Sequence, residues 1–186
     1  IVVGAHYDTK DLPGFLGAND GAGGTAAVVT LARSIRPHTL RHRVVFVLFD
    51  GEESPAGAGD ADFERLGLRG SRVAARAFGR ARAMILLDFV ADRQLRIPRE
   101  ANSDARLWQR LRAAARRVGA ARAFPDAEQG AIADDHVPFL RRGVRAIDLI
   151  DFDFACWHRG CDDLSAVSER SLDASGETVY ELLRSL

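Results

Sequence analysis

Six short stretches of the chain hold residues able to bind a metal or move a proton. They are His6-Tyr7-Asp8, Asn19-Asp20, Asp50-Gly51-Glu52-Glu53, Asp88, Asp134-Asp135-His136 and Trp157-His158. Carboxylates gathered in one place repel one another unless they are protonated or bridged by a cation. Imidazole and carboxylate are both ligand types that zinc takes. The reading that joins these stretches is a zinc site that draws its ligands from these histidines and carboxylates. Adjacent acids after a buried strand point in different directions, so one of Glu52 and Glu53 could hold metal while the other reaches a bound water as general base.

Singly, each stretch also has a plainer reading. Asp20 is suited to capping a helix, and so is the Asp134-Asp135-His136 stretch. His6 would be a structural strand-end histidine, and Glu52-Glu53 a solvated acidic turn. The functional readings are more specific. Asp8 falls on the same side of an extended segment as His6 and would orient its ring. Asp135 and His136 would form a hydrogen-bonding pair lining the pocket, and Trp157 would wall it against an apolar substrate group.

Four apolar runs must position these residues: Ile1–Ala5, Val44–Phe49, Ala83–Leu87 and Val144–Ile150. The first three hold no charged residue and Asp148 breaks the fourth, so they suit strands buried on both faces of a mostly parallel sheet. Helical patterns lie between them. Thr25–Ile35 sets Val28, Leu31, Ala32 and Ile35 on one face. Ser71–Phe78 is alanine-rich. Asp104–Val118 follows a Ser103 cap and stripes Leu107, Trp108, Leu111 and Ala115. Leu172–Leu183 is a last amphipathic helix, and Ser54–Gly67 reads as a long exposed loop. Strands alternating with helices predict an α/β three-layer fold. Ligands of such sheets bind outside the carboxyl ends of the strands, and each of the four runs is followed there by a histidine or a carboxylate. The Gly21-Ala22-Gly23-Gly24 stretch lets a helix approach that edge and brings Asp20 near His6.

Composition excludes other classes. With 26 basic against 26 acidic residues the formal net charge is zero. This argues against a nucleic-acid binder that works by neutralising phosphates and against a polybasic membrane anchor. No apolar run approaches the ~20 residues of a membrane-spanning helix. The opening Ile1–Ala5 already reads as a buried strand, so one catalytic domain over residues 1–186, preceded by a missing N-terminal segment, is expected. The two cysteines, Cys156 and Cys161, fit either free thiols or a local disulfide bracketing His158.

Taken in order, AHYDT at 5–9, GANDGAGG at 17–24, DGEE at 50–53, LLD at 86–88, DDHVPFLRRGV at 134–144 and the WH stretch with its following DD and VS at 157–168 resemble zinc aminopeptidases of the M28 family, in particular its glutaminyl cyclase-like branch. The resemblance implies an α/β three-layer sandwich of the zinc-exopeptidase type, with a central mixed, mostly parallel sheet flanked by helices. It implies one or two Zn2+ ions. With two, Asp20 bridges them, Glu53 and His158 complete one shell, and His6 and Asp88 complete the other. It gives Glu52 the general-base role, makes Asp8 a support for His6, and marks Asp134 as a cyclase-like catalytic position. It implies peptide or protein N-termini as substrates and a secreted, periplasmic or cell-envelope location.

Two activities follow from the resemblance. The first expectation is an aminopeptidase that hydrolyses N-terminal residues with a metal-activated water and Glu52 as base. The alternative is a glutaminyl-peptide cyclotransferase with a single zinc on Asp20, Glu53 and His158; a non-catalytic binding domain on the same fold is the remote third reading. Asn19 and the glycines after Asp20 look peptidase-like. Asp134, the FLRRGV run, Trp157 and Gly70-Ser71-Arg72 look cyclase-like, while Ser54–Ala58 lacks a tryptophan expected of cyclases.

Overall fold

The computed structural model describes residues 1–36 and 38–186, with Asp60 described by its backbone alone. In chain order the elements are β1 (Val2–His6), α1 (Ala22–Ser34), β2 (Val45–Phe49), α2 (Phe63–Leu66), α3 (Arg69–Ala77), β3 (Met84–Asp88), β4 (Arg99–Glu100), α4 (Ala105–Arg117), β5 (Glu128–Gln129), α5 (Val137–Leu140), β6 (Ala146–Ile150) and α6 (Glu169–Ser185). The four apolar runs form one sheet in the order β2-β1-β3-β6. All of its neighbouring strands are parallel. β4 and β5 make a separate two-stranded ribbon.

Side chains alternate across a strand, and the strands feed two cores accordingly. Val3, Ala5, Ile85, Leu87, Ile147 and Leu149 pack with apolar residues of α1, α4 and α6. Val2, Met84, Leu86 and Ala146 pack on the other face with Ala75 of α3 and Phe139 of α5. This is the expected three-layer architecture. Because β1, β3 and β6 are covered on both faces, every residue in them is buried.

Several local expectations shift. α1 begins at Ala22, three residues before Thr25, because its first turn uses the glycines to lie against the sheet. A Cβ at Gly24 would stand 2.2 Å from the Leu87 carbonyl oxygen. Ala32 belongs to the exposed side of α1, whereas Ala27 lies on its buried side. α4 is capped by Asp104, whose side chain accepts from the Leu107 amide. Ser103 instead donates to Glu100 and accepts from the Asp148 amide. The loop over 54–67 contains a 3-10 turn at Asp60–Asp62 and the short α2. No helix among the described residues is long and apolar enough to cross a membrane.

Candidate metal centre and active site

Three parallel strands end at the same level, and the register makes the centre. Val2 and Gly4 of β1 stand opposite Met84 and Leu86 of β3, so His6 and Asp88, two residues further on, share a face. His6 Nε2 lies 3.3 Å from Asp88 Oδ1 and 3.3 Å from Asp20 Oδ1. Asp20 stands just before α1, whose N-cap is Gly21 with no side-chain cap bond. Asp20 is therefore not a helix cap. Its Oδ2 points the other way, 3.3 Å from His158 Nε2, which is also 3.4 Å from Glu53 Oε1. Two trios, His6-Asp20-Asp88 and Asp20-Glu53-His158, thus share the Asp20 carboxylate.

The donor sets fit a cation. His6 Nδ1 is 2.9 Å from the Asp8 carbonyl oxygen. A carbonyl only accepts, so Nδ1 carries the hydrogen and neutral His6 turns its Nε2 lone pair toward two carboxylate oxygens. Such an arrangement repels unless a proton or a metal lies between them. Asp20 Oδ2 is buried without any hydrogen-bond partner. Ligand atoms around a tetrahedral zinc with bonds of 2.0–2.1 Å stand about 3.3–3.4 Å apart, the same spacing as the four N···O separations here.

Charge distribution says the same. Burial alone would push the His6 imidazolium down, but Asp20, Asp8 and Asp88 outweigh it and hold its pKa well above the ordinary value. His158 is raised to about 9, its own burial being overcome by Asp20 and Glu53. Burial pushes Asp88 up to about 6, partly offset by His6. The metal-free site therefore holds protons where a cation would sit.

The Glu52-Glu53 turn is fastened from two sides. Gly51 takes φ 67, the left-handed backbone a sharp turn after β2 requires. The amides of Leu68, Arg69 and Gly70, at the start of α3, donate to the carbonyls of Glu52, Gly51 and Asp50. Asp8 grips the turn from below, its two carboxylate oxygens accepting the amides of Glu52 at 3.2 Å and Glu53 at 3.1 Å. Asp8 also backs His6, its carbonyl oxygen accepting from Nδ1 and its Oδ1 standing 3.7 Å from the same nitrogen. Burial, reinforced by Asp134 and Asp135, raises the Glu52 carboxyl well above the usual range.

A cavity of about 300 Å³ opens onto the centre. Asp20, Glu52, Glu53, Asp88, Asp134 and His158 face it, as do Phe63, Phe89, Ile132, Phe152 and Trp157. Trp157 stacks on the His158 ring at 4.2 Å between centroids. Asp134 is pushed up to about 7, chiefly by burial and then by Asp88. The expected pocket role of Asp135 and His136 is corrected: both are 0% exposed and neither lines the cavity. His136 points into the protein, its Nε2 3.2 Å from Glu100 Oε2 and its Nδ1 3.7 Å from Asp148 Oδ2, and Asp135 faces Ser71 of α3. Asp134, His136 and Asp148 make a third, wholly buried cluster.

Three contributors escape a reading by spacing. Lys10, the single lysine, donates to Glu53 Oε2 at 3.2 Å. Asp162 accepts the amides of Asn19 and Asp20 at 2.7 and 3.0 Å. Glu100 accepts the Ile132 amide and so holds one cavity wall. Only Lys10 and Asp162 left a trace in the sequence, one as the lone lysine and the other in the acidic pair after His158. Cys156 and Cys161 form a disulfide around His158. A larger cavity, about 1130 Å³, lies at the opposite end of the sheet by Val2 and Val45. Seven arginines and no acidic residue line it.

The model of peptidase family M28 matches residues 1–183, and the chain belongs to that family. It is 26% identical over 210 residues to a glutaminyl-peptide cyclotransferase of Drosophila melanogaster, covering 93% of this chain and 57% of that protein. Against the crystal structure of an Acidobacteriales bacterium glutaminyl cyclase the TM-score is 0.87 at 30% identity, over 98% of this chain and 67% of that one. A leucine aminopeptidase precursor from Bacteroides thetaiotaomicron superposes with a TM-score of 0.86 at 25% identity, over 100% of this chain and 71% of that one. The chain spans about half the length of the curated relatives it matches.

Proposed function

We propose that the protein is a zinc-dependent glutaminyl-peptide cyclotransferase, which closes an N-terminal glutamine to pyroglutamate and releases ammonia. The observation that carries this reading is the Asp134 carboxyl on the cavity wall, fully buried and raised to about 7, beside an equally buried Glu52. Cyclisation moves a proton from the attacking amine to the departing nitrogen within one small site. A carboxyl whose pKa lies near the working pH, backed by a second, suits that transfer. The named cyclotransferase relatives support the same reading.

Asp20, Glu53 and His158 would hold the zinc, since this trio opens to the cavity while His6 is 1% exposed and does not line it. Zinc supplies a Lewis acid that polarises the side-chain amide carbonyl of the glutamine. Glu52 takes the proton as the substrate's α-amine nitrogen bonds to the amide carbon, and returns it to the nitrogen that leaves as ammonia. Asp8 holds Glu52 through its backbone. Phe152, Trp157 and Ile132 exclude water, which would compete with the amine. His6 and Asp88 brace Asp20 from behind, or hold a second ion.

Hydrolytic aminopeptidase activity is the second reading, favoured by the Asp20 carboxylate, which splits its two oxygens between two complete trios. The zinc-loaded protein, assayed on a glutaminyl peptide and on a leucine anilide, separates the two. Ammonia and a blocked N-terminus from the first, without cleavage of the second, is the expected result. Anilide cleavage without cyclisation overturns it in favour of the peptidase, and activity on neither favours the binding domain. The Cys156–Cys161 disulfide supports an oxidising compartment outside the cytoplasm.

A further inference from the structure

Among the five candidate ligands, His158 has the weakest scaffold. His6 and Asp88 end strands, Glu53 follows β2, and Asp20 immediately precedes α1. His158 stands eight residues beyond β6 in a segment of turns with no helix or strand until α6, apart from one bridge at Val167. Its own backbone takes φ 51, in the left-handed region that few residues other than glycine occupy. The backbone bonds inside the segment are short-range, as from Arg159 to Cys156 and from Asp162 to Arg159. The covalent tie is the Cys156–Cys161 disulfide, with Cα atoms 5.4 Å apart.

The bridge fixes more than one ligand. Cys156 packs against the buried cluster of Phe89, Ile150 and Phe154, which roots one end of the segment at the sheet edge. Cys161 is followed directly by Asp162, which is 0% exposed and accepts the amides of Asn19 and Asp20. The disulfide therefore closes a loop that carries His158 on one side and grips the backbone of Asp20 on the other. These two side chains meet at 3.3 Å. Cys161 is exposed, so a reductant can reach it.

We infer that the Cys156–Cys161 disulfide positions His158 and Asp20 for the metal, so that the oxidised protein binds its ion more tightly than the reduced one. Reduction cleaves the S–S bond with two electrons. A phosphine supplies them and becomes its oxide, taking oxygen from water, whose two protons complete the thiols. The loop then keeps its sequence and loses the restraint on its ends. This inference rests on the zinc reading above.

The test is zinc affinity, measured by chelator competition on the oxidised protein and on the double variant Cys156→Ser/Cys161→Ser. The melting temperature of each metal-free form is recorded alongside. Residues that orient metal ligands typically contribute ten- to a hundred-fold to affinity, and the double variant should bind zinc about ten- to a hundred-fold more weakly. A merely structural bridge would lower the metal-free melting temperature and leave zinc affinity unchanged, and that result overturns the inference. If the variant does not fold, phosphine reduction of the folded protein decides. Zinc released on reduction supports the inference, and zinc retained at equal affinity overturns it. His158→Ala is the control: unchanged affinity there would sink the metal site itself and not the disulfide's part in it.

Discussion

Asp8 illustrates how much of the centre depends on groups that would touch no substrate. Its carboxylate accepts two successive amides, those of Glu52 and Glu53. Asp8→Asn keeps one acceptor oxygen and loses the other, which frees the turn. We expect kcat to fall about ten- to a hundred-fold with zinc still bound, by analogy with other supporting residues. Glu52→Gln should abolish turnover with zinc retained, as metal analysis beside the cyclisation assay would show; surviving activity would dismiss Glu52 as the proton carrier. Asp134 gives a prediction with a sign. Glu52 must be ionised to accept a proton, so activity is lost as pH falls through its pKa. A charged Asp134 pushes that pKa up, so Asp134→Asn should move the acid limb of kcat/KM to lower pH. A limb that stays in place would show that the two carboxyls do not interact in the working enzyme.

The strands were the readable elements. Runs dominated by Val, Ile, Leu and Phe have few fates other than a sheet covered on both faces, and their observed ends lie within two residues of the expected ones, coinciding at Phe49 and Ile150. The start of α1 was harder to read. Glycine lowers helix propensity, so the helix was expected to start only at Thr25, after the glycines; the close approach expected of that stretch is made at Leu87 by the first turn of α1 itself. Gly24→Ala should therefore destabilise by about 1–3 kcal/mol through overpacking, read as a lower denaturant midpoint. Because Asp20 stands at the head of α1, the same change should weaken metal binding. The candidate ligands were legible because each follows an apolar run or lies in a recognisable stretch. His136 and Asp135 were misplaced for a complementary reason: spacing puts them near the edge, but His136 turns inward toward Glu100 and Asp148 and Asp135 toward Ser71, and no local pattern reports that.

The whole molecule carries buried acids beyond the centre, and they give its stability a direction. Asp151 closes β6, accepts the Arg96 amide, and is raised to about 7 mainly by burial. Asp135 is raised to about 8, again mainly by burial. Between roughly pH 4, where unfolded aspartates lose their protons, and these raised values, the folded state binds more protons than the unfolded one. Stability of the metal-free protein should therefore decline as pH rises from about 5 to 8. Asp151→Asn, which can still accept from Arg96, should flatten that decline; an unchanged slope in thermal melts would refute it. The arginine-lined cavity has a different outcome. Seven arginines line the cavity at one end of the sheet and carboxylates line the cavity at the other, so the two mouths differ in charge. Under the proposed function, the acidic mouth receives N-termini that lead with a positive α-ammonium group. The field of such a mouth raises encounter rates and fades within about 8–10 Å at physiological salt. Added salt should thus slow capture of N-termini, lowering kcat/KM while leaving kcat unchanged, and a neutral protein should behave in solution like a charged one seen from a single side.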